Sequence, residues 1–277
     1  MPRQGRDGGM AEVLEPLAHE PPLAADLIKP KDLVMLVVPI DLAAPKGRLI
    51  LPQVQVLREV LDAGAMALTV KESEVTDMLR GLAVKPALVI TDSQAVREVA
   101  AAVPEGIRLT TFSTLFARYK GDFAAQLAGA AAIDTLKDGD RVLIAEGCSH
   151  HVTCDDIGRV KIPNWMKKYT GRELKFEWTQ GADFPDNLED YALVVHCGGC
   201  MLNRAEVRRR INECARQGVK VTNYGIVISK MQGVLERVVK GITDAGATGS
   251  VSATGSVSAT GSISDTGSIS DTGEEGD

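Results

Sequence analysis

Aromatic side chains are scarce. Five Phe, four Tyr and two Trp make up 4% of 277 residues, so any core this chain builds must be mostly aliphatic. Long apolar runs are lacking too: the longest, Leu33 to Ile40, is far too short to cross a bilayer, and the opening MPRQGRDGGMAEVLEPL contains no apolar signal core. A spanning helix and a secretory leader are therefore not expected, and a cytoplasmic protein is. No strong excess of one charge marks the body of the chain. The formal charge is -6, but five acidic and no basic residues lie after position 246, which leaves the rest close to neutral. That argues against a nucleic-acid binder, whose footprint is a basic surface. No GxxxxGK[ST] loop occurs, so a phosphate cradle of that type is missing as well.

What is present is regular. With 44% hydrophobic residues the chain can fill two modest cores. From Asp26 onward, short apolar runs alternate with amphipathic stretches, the pattern of parallel strands joined by crossover helices. The pattern predicts strands over 33–40, 65–70, 87–90 and 108–112, with helices over 53–63, 74–82 and 94–102. A long amphipathic stretch from Thr114 to Leu136 then leads to a second unit of the same grammar. Its strands fall over 141–145, 174–178, 192–195 and 219–223, and its helices begin near Pro163, a favourable first helical position, and run over 204–217 and 227–239. The expected fold is α/β, two consecutive open parallel-sheet domains with helices on the sheet faces. Residues 1–25 read as a disordered leader or linker stub, 26–120 and 121–244 as the two domains, and 245–277, a Gly/Ser/Thr-rich hexapeptide repeat, as a disordered tail.

Cysteine and histidine are few and unevenly placed. Four of five cysteines and three of four histidines lie within 148–154 and 196–200. Each stretch follows an apolar run, Val142 to Ala145 or Ala192 to Val195, and open parallel sheets bind ligands beyond the carboxyl ends of their strands. In a reducing compartment a C-x-x-C pair, Cys197 and Cys200, points to metal or redox chemistry before a structural disulfide. Gly198 and Gly199 leave room for a bulky inorganic ligand and offer it N–H groups, and the following helix favours thiolate. With Cys148 as a third thiolate, the spacing suits a 4Fe–4S cluster, a zinc with three cysteines and one histidine, or a dithiol redox pair.

The neighbouring residues each carry a plainer reading beside the functional one. His196 either ligates or packs at the sheet edge; of His150 and His151, which alternate, one can face the crevice. Cys154 reads as a bystander with a spare ligand as the alternative, and Cys214, on one helical face with Val207 and Ile211, as core. Asp155 and Asp156 can cap a helix, support a histidine or be solvated. Arg204 can pair with an anionic ligand, whereas Arg208 to Arg210 read as a solvated face and Lys46 and Arg48 as surface. Asn223 and Tyr224, past the end of another strand, are candidates to line the crevice.

Taken together, CSHH (148–151), DDIGRVKIP (155–163), HCGGCMLNR (196–204) and TNYG (222–225) resemble the cluster-binding domain of the HydF family, the scaffold GTPase of FeFe-hydrogenase maturation. DLIKPKDLVMLVVPIDLAAPKGRLILPQVQ (26–55), LVITDSQA (88–95) and FARYKGD (116–122) are similar to that family's dimerisation domain. The resemblance spans roughly residues 25 to 243. It implies a homodimer made through the first domain and a 4Fe–4S cluster on Cys148, Cys197 and Cys200, with His150 and His196 near an exchangeable fourth iron site. It further implies a scaffold or carrier, not an enzyme in its own right, that takes a dinuclear iron precursor from radical maturation enzymes and passes it to the immature hydrogenase. The family's GTPase domain has no counterpart here and so no GTP site is expected; Cys154 is an addition to the family pattern.

Overall fold

The computed structural model describes residues 21–40, 47–147 and 156–244. Cys148, His150, His151, Cys154, Asp155, Lys46, residues 1–20 of the expected leader and the repeat tail lie outside the described residues; the end of that leader is described, with Leu23 and Ala24 buried in the first core and their N–H groups donating to Glu59.

Two four-stranded, all-parallel sheets follow one another along the chain. The first contains β1 (Leu33–Val37), β2 (Met66–Val70), β3 (Leu88–Thr91) and β4 (Arg108–Thr111), in the order β2-β1-β3-β4. In the second, β5 (Arg141–Ala145), β6 (Lys175–Thr179), β7 (Leu193–His196) and β8 (Lys220–Asn223) repeat that order as β6-β5-β7-β8. The central strands read as unbroken aliphatic runs because helices cover both faces. Alternate residues therefore serve separate cores. In the first sheet Val34, Leu36, Leu88 and Ile90 face α1 (Leu51–Asp62) and α4 (Phe112–Lys120), while Met35, Val37 and Val89 face α2 (Val75–Gly81) and α3 (Val96–Ala102). In the second, Val142, Ile144 and Val195 face α6 (Ile162–Thr170) and α8 (Tyr224–Met231), while Leu143, Ala145 and Val194 face α7 (Arg204–Arg216).

The stretch expected as one amphipathic unit over 114–136 is broken. Its first part is α4, and α5 (Phe123–Ala130) begins after Gly121, with Asp122 accepting a hydrogen bond from the Ala125 N–H as N-cap. A β-carbon at Gly121 would lie 2.8 Å from the Ala117 carbonyl oxygen, so only glycine fits this bend. The helix expected over 227–239 is likewise two, α8 and α9 (Leu235–Thr243), parted at Gly233 with φ +74°.

These breaks exchange helices between the halves. α5 packs on β8 of the second sheet, and α9 returns to β4 of the first. The two contacts match: a β-carbon at Gly129 would sit 1.9 Å from the Val221 carbonyl oxygen, and one at Gly241 would sit 2.1 Å from that of Leu109. Leu109 and Val221, Gly121 and Gly233, and Gly129 and Gly241 are all 112 positions apart. Gly47-Arg48-Leu49-Ile50-Leu51-Pro52 and Gly158-Arg159-Val160-Lys161-Ile162-Pro163 also correspond, so the halves repeat one plan in sequence as well as in strand order.

Candidate metal centre

In each sheet the chain leaves the first strand to one side and later adds the third strand on the other. The crevice of an open parallel sheet forms at that reversal, beyond the carboxyl ends of the two strands. For the second sheet these are β5 and β7, paired side by side with Ala145 opposite His196. The Cys197 N–H extends the pairing by donating to the Ala145 carbonyl at 2.9 Å. Cys197 thus leaves β7 where Glu146 and Gly147 leave β5.

There the Cys197 Sγ accepts two backbone hydrogen bonds, from the Gly147 N–H at 3.0 Å and the Gly199 N–H at 3.3 Å. Gly147 immediately precedes Cys148 in the chain. The glycines are required by shape: a β-carbon at Gly147 would meet Leu202 Cγ at 2.8 Å, and Gly199 has φ +62°. Among the described residues, only Ser113 Oγ, at 3.6 Å, stands close to where a Gly198 β-carbon would be. Cys197 and Cys200 are both part-buried, and Cys200 packs against the core formed by Phe112, Leu115 and Phe116 of the first sheet. Burial raises the Cys200 thiol above its ordinary range, and the charge of Lys120 works in the opposite direction.

His196 is 1% exposed. It shares its strand face with Val194, toward α7, and its Nδ1 lies 2.7 Å from the Cys197 carbonyl oxygen. A carbonyl can only accept, so Nδ1 carries the hydrogen. Burial lowers the imidazole from 6.5 to about 4, with the Arg210 charge pushing the same way, and it is held neutral. Its contact with the site runs through the Cys197 backbone. Among the described residues its Nε2 has no hydrogen-bond partner.

A polar layer lies on the other side of Cys197. The Glu146 carboxylate, 2% exposed, accepts from Gln180 Nε2 at 3.2 Å and from the Tyr224 hydroxyl at 3.4 Å, and meets Arg159 at 3.5 Å. Burial drives the Tyr224 phenol well above its usual value, and the neighbouring Cys197, Glu146 and Asp156 add to this. A β-carbon at Gly158 would lie 2.2 Å from Tyr224 Oη and 2.5 Å from Glu146 Oε1, so glycine is needed there too. Asp156 acts as a cap, accepting from the Arg159 N–H at 2.8 Å at the π-helical turn Ile157–Lys161. Asn223 is the N-cap of α8, accepting from the Gly225 N–H at 2.7 Å, and Tyr224 is the first residue of that helix.

Two side chains with no signal in the sequence complete the surroundings. Glu146 looks like any charge at the end of a strand, and Lys120 sits in another sheet's domain about 80 positions from the loop it touches. The reading of Arg208 to Arg210 as a solvated face is corrected at its last member. Arg210 is fully buried, bonded to Glu206 at 2.8 Å and to the Gly181 carbonyl, with its guanidinium 5.1 Å from the Phe184 ring centre. Its place on α7 turns it inward beside Val207, and Glu206 one turn earlier offsets its charge. Cys214 is core, its thiol pushed up to about 12 by burial. Arg48 is exposed and Arg204, at the start of α7, is part-buried. Among the described residues no group of three or more His, Cys, Asp or Glu side chains is gathered as a metal site. The same residues contain no helix long and apolar enough to cross a membrane.

Comparison with known proteins agrees with the two-part architecture. The family model described as the hydrogen maturase F dimerization domain matches residues 23–121, and that described as the hydrogen maturase F tetramerization domain matches 124–241. No curated protein matches the sequence. Among solved structures, an NtrC family transcriptional regulator from Clostridium acetobutylicum is 11% identical with a TM-score of 0.23, covering 74% of this chain and 97% of that one. An ABC transporter solute-binding protein from Burkholderia multivorans is 17% identical with a TM-score of 0.24, covering 78% and 92%. A LacI family repressor from Corynebacterium glutamicum is 12% identical with a TM-score of 0.22, covering 75% and 89%. Scores this low carry no argument about fold or function. The family matches do: they follow one another over residues 23–241, one on each sheet, and the chain belongs to the hydrogen maturase F (HydF) family of hydrogenase maturation proteins.

Proposed function

We propose that this protein is an iron–sulfur scaffold of FeFe-hydrogenase maturation, in which Cys148, Cys197 and Cys200 hold a 4Fe–4S cluster. The observation that carries the reading is the pair of N–H groups, from Gly147 and Gly199, aimed at Cys197 Sγ where the second sheet reverses direction. Backbone donors to sulfur are what a cysteine thiolate in a cluster site requires. Gly198 adds no side chain to the turn, and among the described residues the position of its missing β-carbon is uncrowded. A cluster bound through three protein thiolates supplies one iron free to exchange its fourth ligand. His150 and Cys154 are the nearby candidates in sequence for that position; His196, turned toward α7, supports the Cys197 backbone instead.

The cargo on this reading is a dinuclear iron precursor, received from radical maturation enzymes and delivered to the immature hydrogenase. The chain's own residues hold and orient; none is assigned a chemical step. Self-association through the first domain is supported by its family description and by the edge strand β2, which among the described residues pairs only with β1. Met66 on that strand and Leu51, Val54 and Leu61 on α1 are exposed apolar groups on the same domain, suited to a second copy.

Anaerobic reconstitution followed by iron, sulfide and zinc analysis and EPR tests the reading. Wild-type protein should hold about four irons and four sulfides per chain, as the cluster type requires. Cys148→Ala, Cys197→Ala and Cys200→Ala should each lose them. Full iron and sulfide in the Cys197 or Cys200 variant, or stoichiometric zinc in a colourless wild type, would overturn it.

A further inference from the structure

Lys120 ends α4, on the first sheet, yet its ammonium is spent on the second. It is 7% exposed, and Nζ donates to the carbonyl oxygens of Gly199 at 2.9 Å, Cys200 at 3.2 Å and Leu202 at 2.7 Å. Among the described residues these three acceptors all belong to the turn that carries the C-x-x-C pair. The Phe116 ring, 5.2 Å below Nζ, closes the other side with its negative face. From α4, then, a buried cation reaches across to hold the backbone of Gly199 to Leu202, while Cys200 packs on Phe112, Leu115 and Phe116 around it.

We propose that Lys120 is a positioning residue of the metal centre: it fixes the Cys197–Cys200 loop from the first domain and places a positive charge beside whatever the loop binds. The proposal rests on the cluster reading above for its second half only. The Gly199 carbonyl also accepts from the Leu202 N–H at 3.0 Å, whereas the Cys200 and Leu202 carbonyls turn toward Lys120, and a buried acceptor without a donor is costly. Lys120 supplies that donor in the metal-free chain. Once a negatively charged cluster is bound, the same ammonium in a low-dielectric setting favours the reduced, more negative state and raises the reduction potential. A lysine farther from the loop, or screened from it by water, would leave that potential nearly unmoved. This arrangement also ties the loop mechanically to the domain through which the protein self-associates.

Two measurements on the full chain separate the halves. In metal-free protein, hydrogen–deuterium exchange of the peptide covering residues 197–202 should quicken roughly tenfold in Lys120→Met, which cannot donate, and return toward wild type in Lys120→Arg. In reconstituted protein, EPR-monitored redox titration should show the midpoint of Lys120→Met shifted negative and that of Lys120→Arg close to wild type. Lys120→Gln keeps a donor without the charge. It should protect the loop better than Lys120→Met while sharing its negative shift, and it serves in place of Lys120→Met should that variant not fold. Unchanged loop exchange in both neutral variants would overturn the positioning role, and an unchanged midpoint in both would overturn the electrostatic one. A wild type that binds no cluster would sink the proposed function, while the exchange arm would still decide whether Lys120 holds the loop.

Discussion

At the scale of single residues, backbone shape decides as much as ligand identity. Gly199 has φ +62°, a β-carbon there would stand 3.0 Å from Val207 Cγ2, and its N–H donates to Cys197 Sγ. Gly199→Ala should therefore destabilise the fold by about 1–2 kcal/mol, the cost of forcing an L-residue into the left-handed region, as read from urea denaturation midpoints. It should also weaken retention of iron during gel filtration, because the donor to sulfur moves with the backbone. Cys197, Cys200 and their glycines were legible in the sequence as a C-x-x-C pair at the end of a strand. The orientation of His196 was not, because alternation along a strand gives two faces without saying which one a turn at the strand end preserves.

Elements show how a helix can carry a buried charge. α7 turns Arg210 into the core and pairs it with Glu206 one turn earlier, whose carboxylate is held down at about 2, first by its hydrogen bond to Arg209 and then, against burial, by Arg210. Glu206→Gln would leave the guanidinium buried without its counter-charge, and a loss of about 3 kcal/mol is expected in chemical denaturation. The acid limb follows from the sign of the shift. A carboxylate with a depressed folded-state value stabilises the fold above its unfolded value of 4.5, and that contribution is lost as pH falls from there toward about 2. Wild-type stability should drop across that window, and Glu206→Gln should show a shallower drop. Periodicity placed Arg208, Arg209 and Arg210 together on the surface; it is the i, i+3 spacing of Val207 and Arg210 along the inner face that separates the third from the others.

For the whole molecule, the exchanged helices bind the two sheets into one unit. α5 reaches β8 and α9 reaches β4 through glycines that bring helix and strand backbones within reach of each other. Gly129→Ala and Gly241→Ala each add a carbon about 2 Å from a carbonyl oxygen, so the helix must back away from the strand. A cost of roughly 3 kcal/mol or more is expected for each, at the upper end for overpacking because the obstacle is backbone. Either change should lower the stability of both sheets together in calorimetry. Two separate transitions, with only one displaced, would show the halves to be independent. Lys120 belongs to this scale too, since its contact with the C-x-x-C loop exists only because α4 lies against the second sheet.

By itself, the sequence determined the α/β class, the two successive parallel sheets and the placement of thiols after apolar runs, because strand periodicity and cysteine spacing are local properties of the chain. It carried the family motifs as well. Only the tertiary structure decided the strand order that sets Gly147 beside Cys197, the crossing of α5 and α9 between halves and the reach of Lys120 into the loop. Those depend on contacts between residues tens to more than a hundred positions apart, and such contacts are selected by packing rather than by any local pattern.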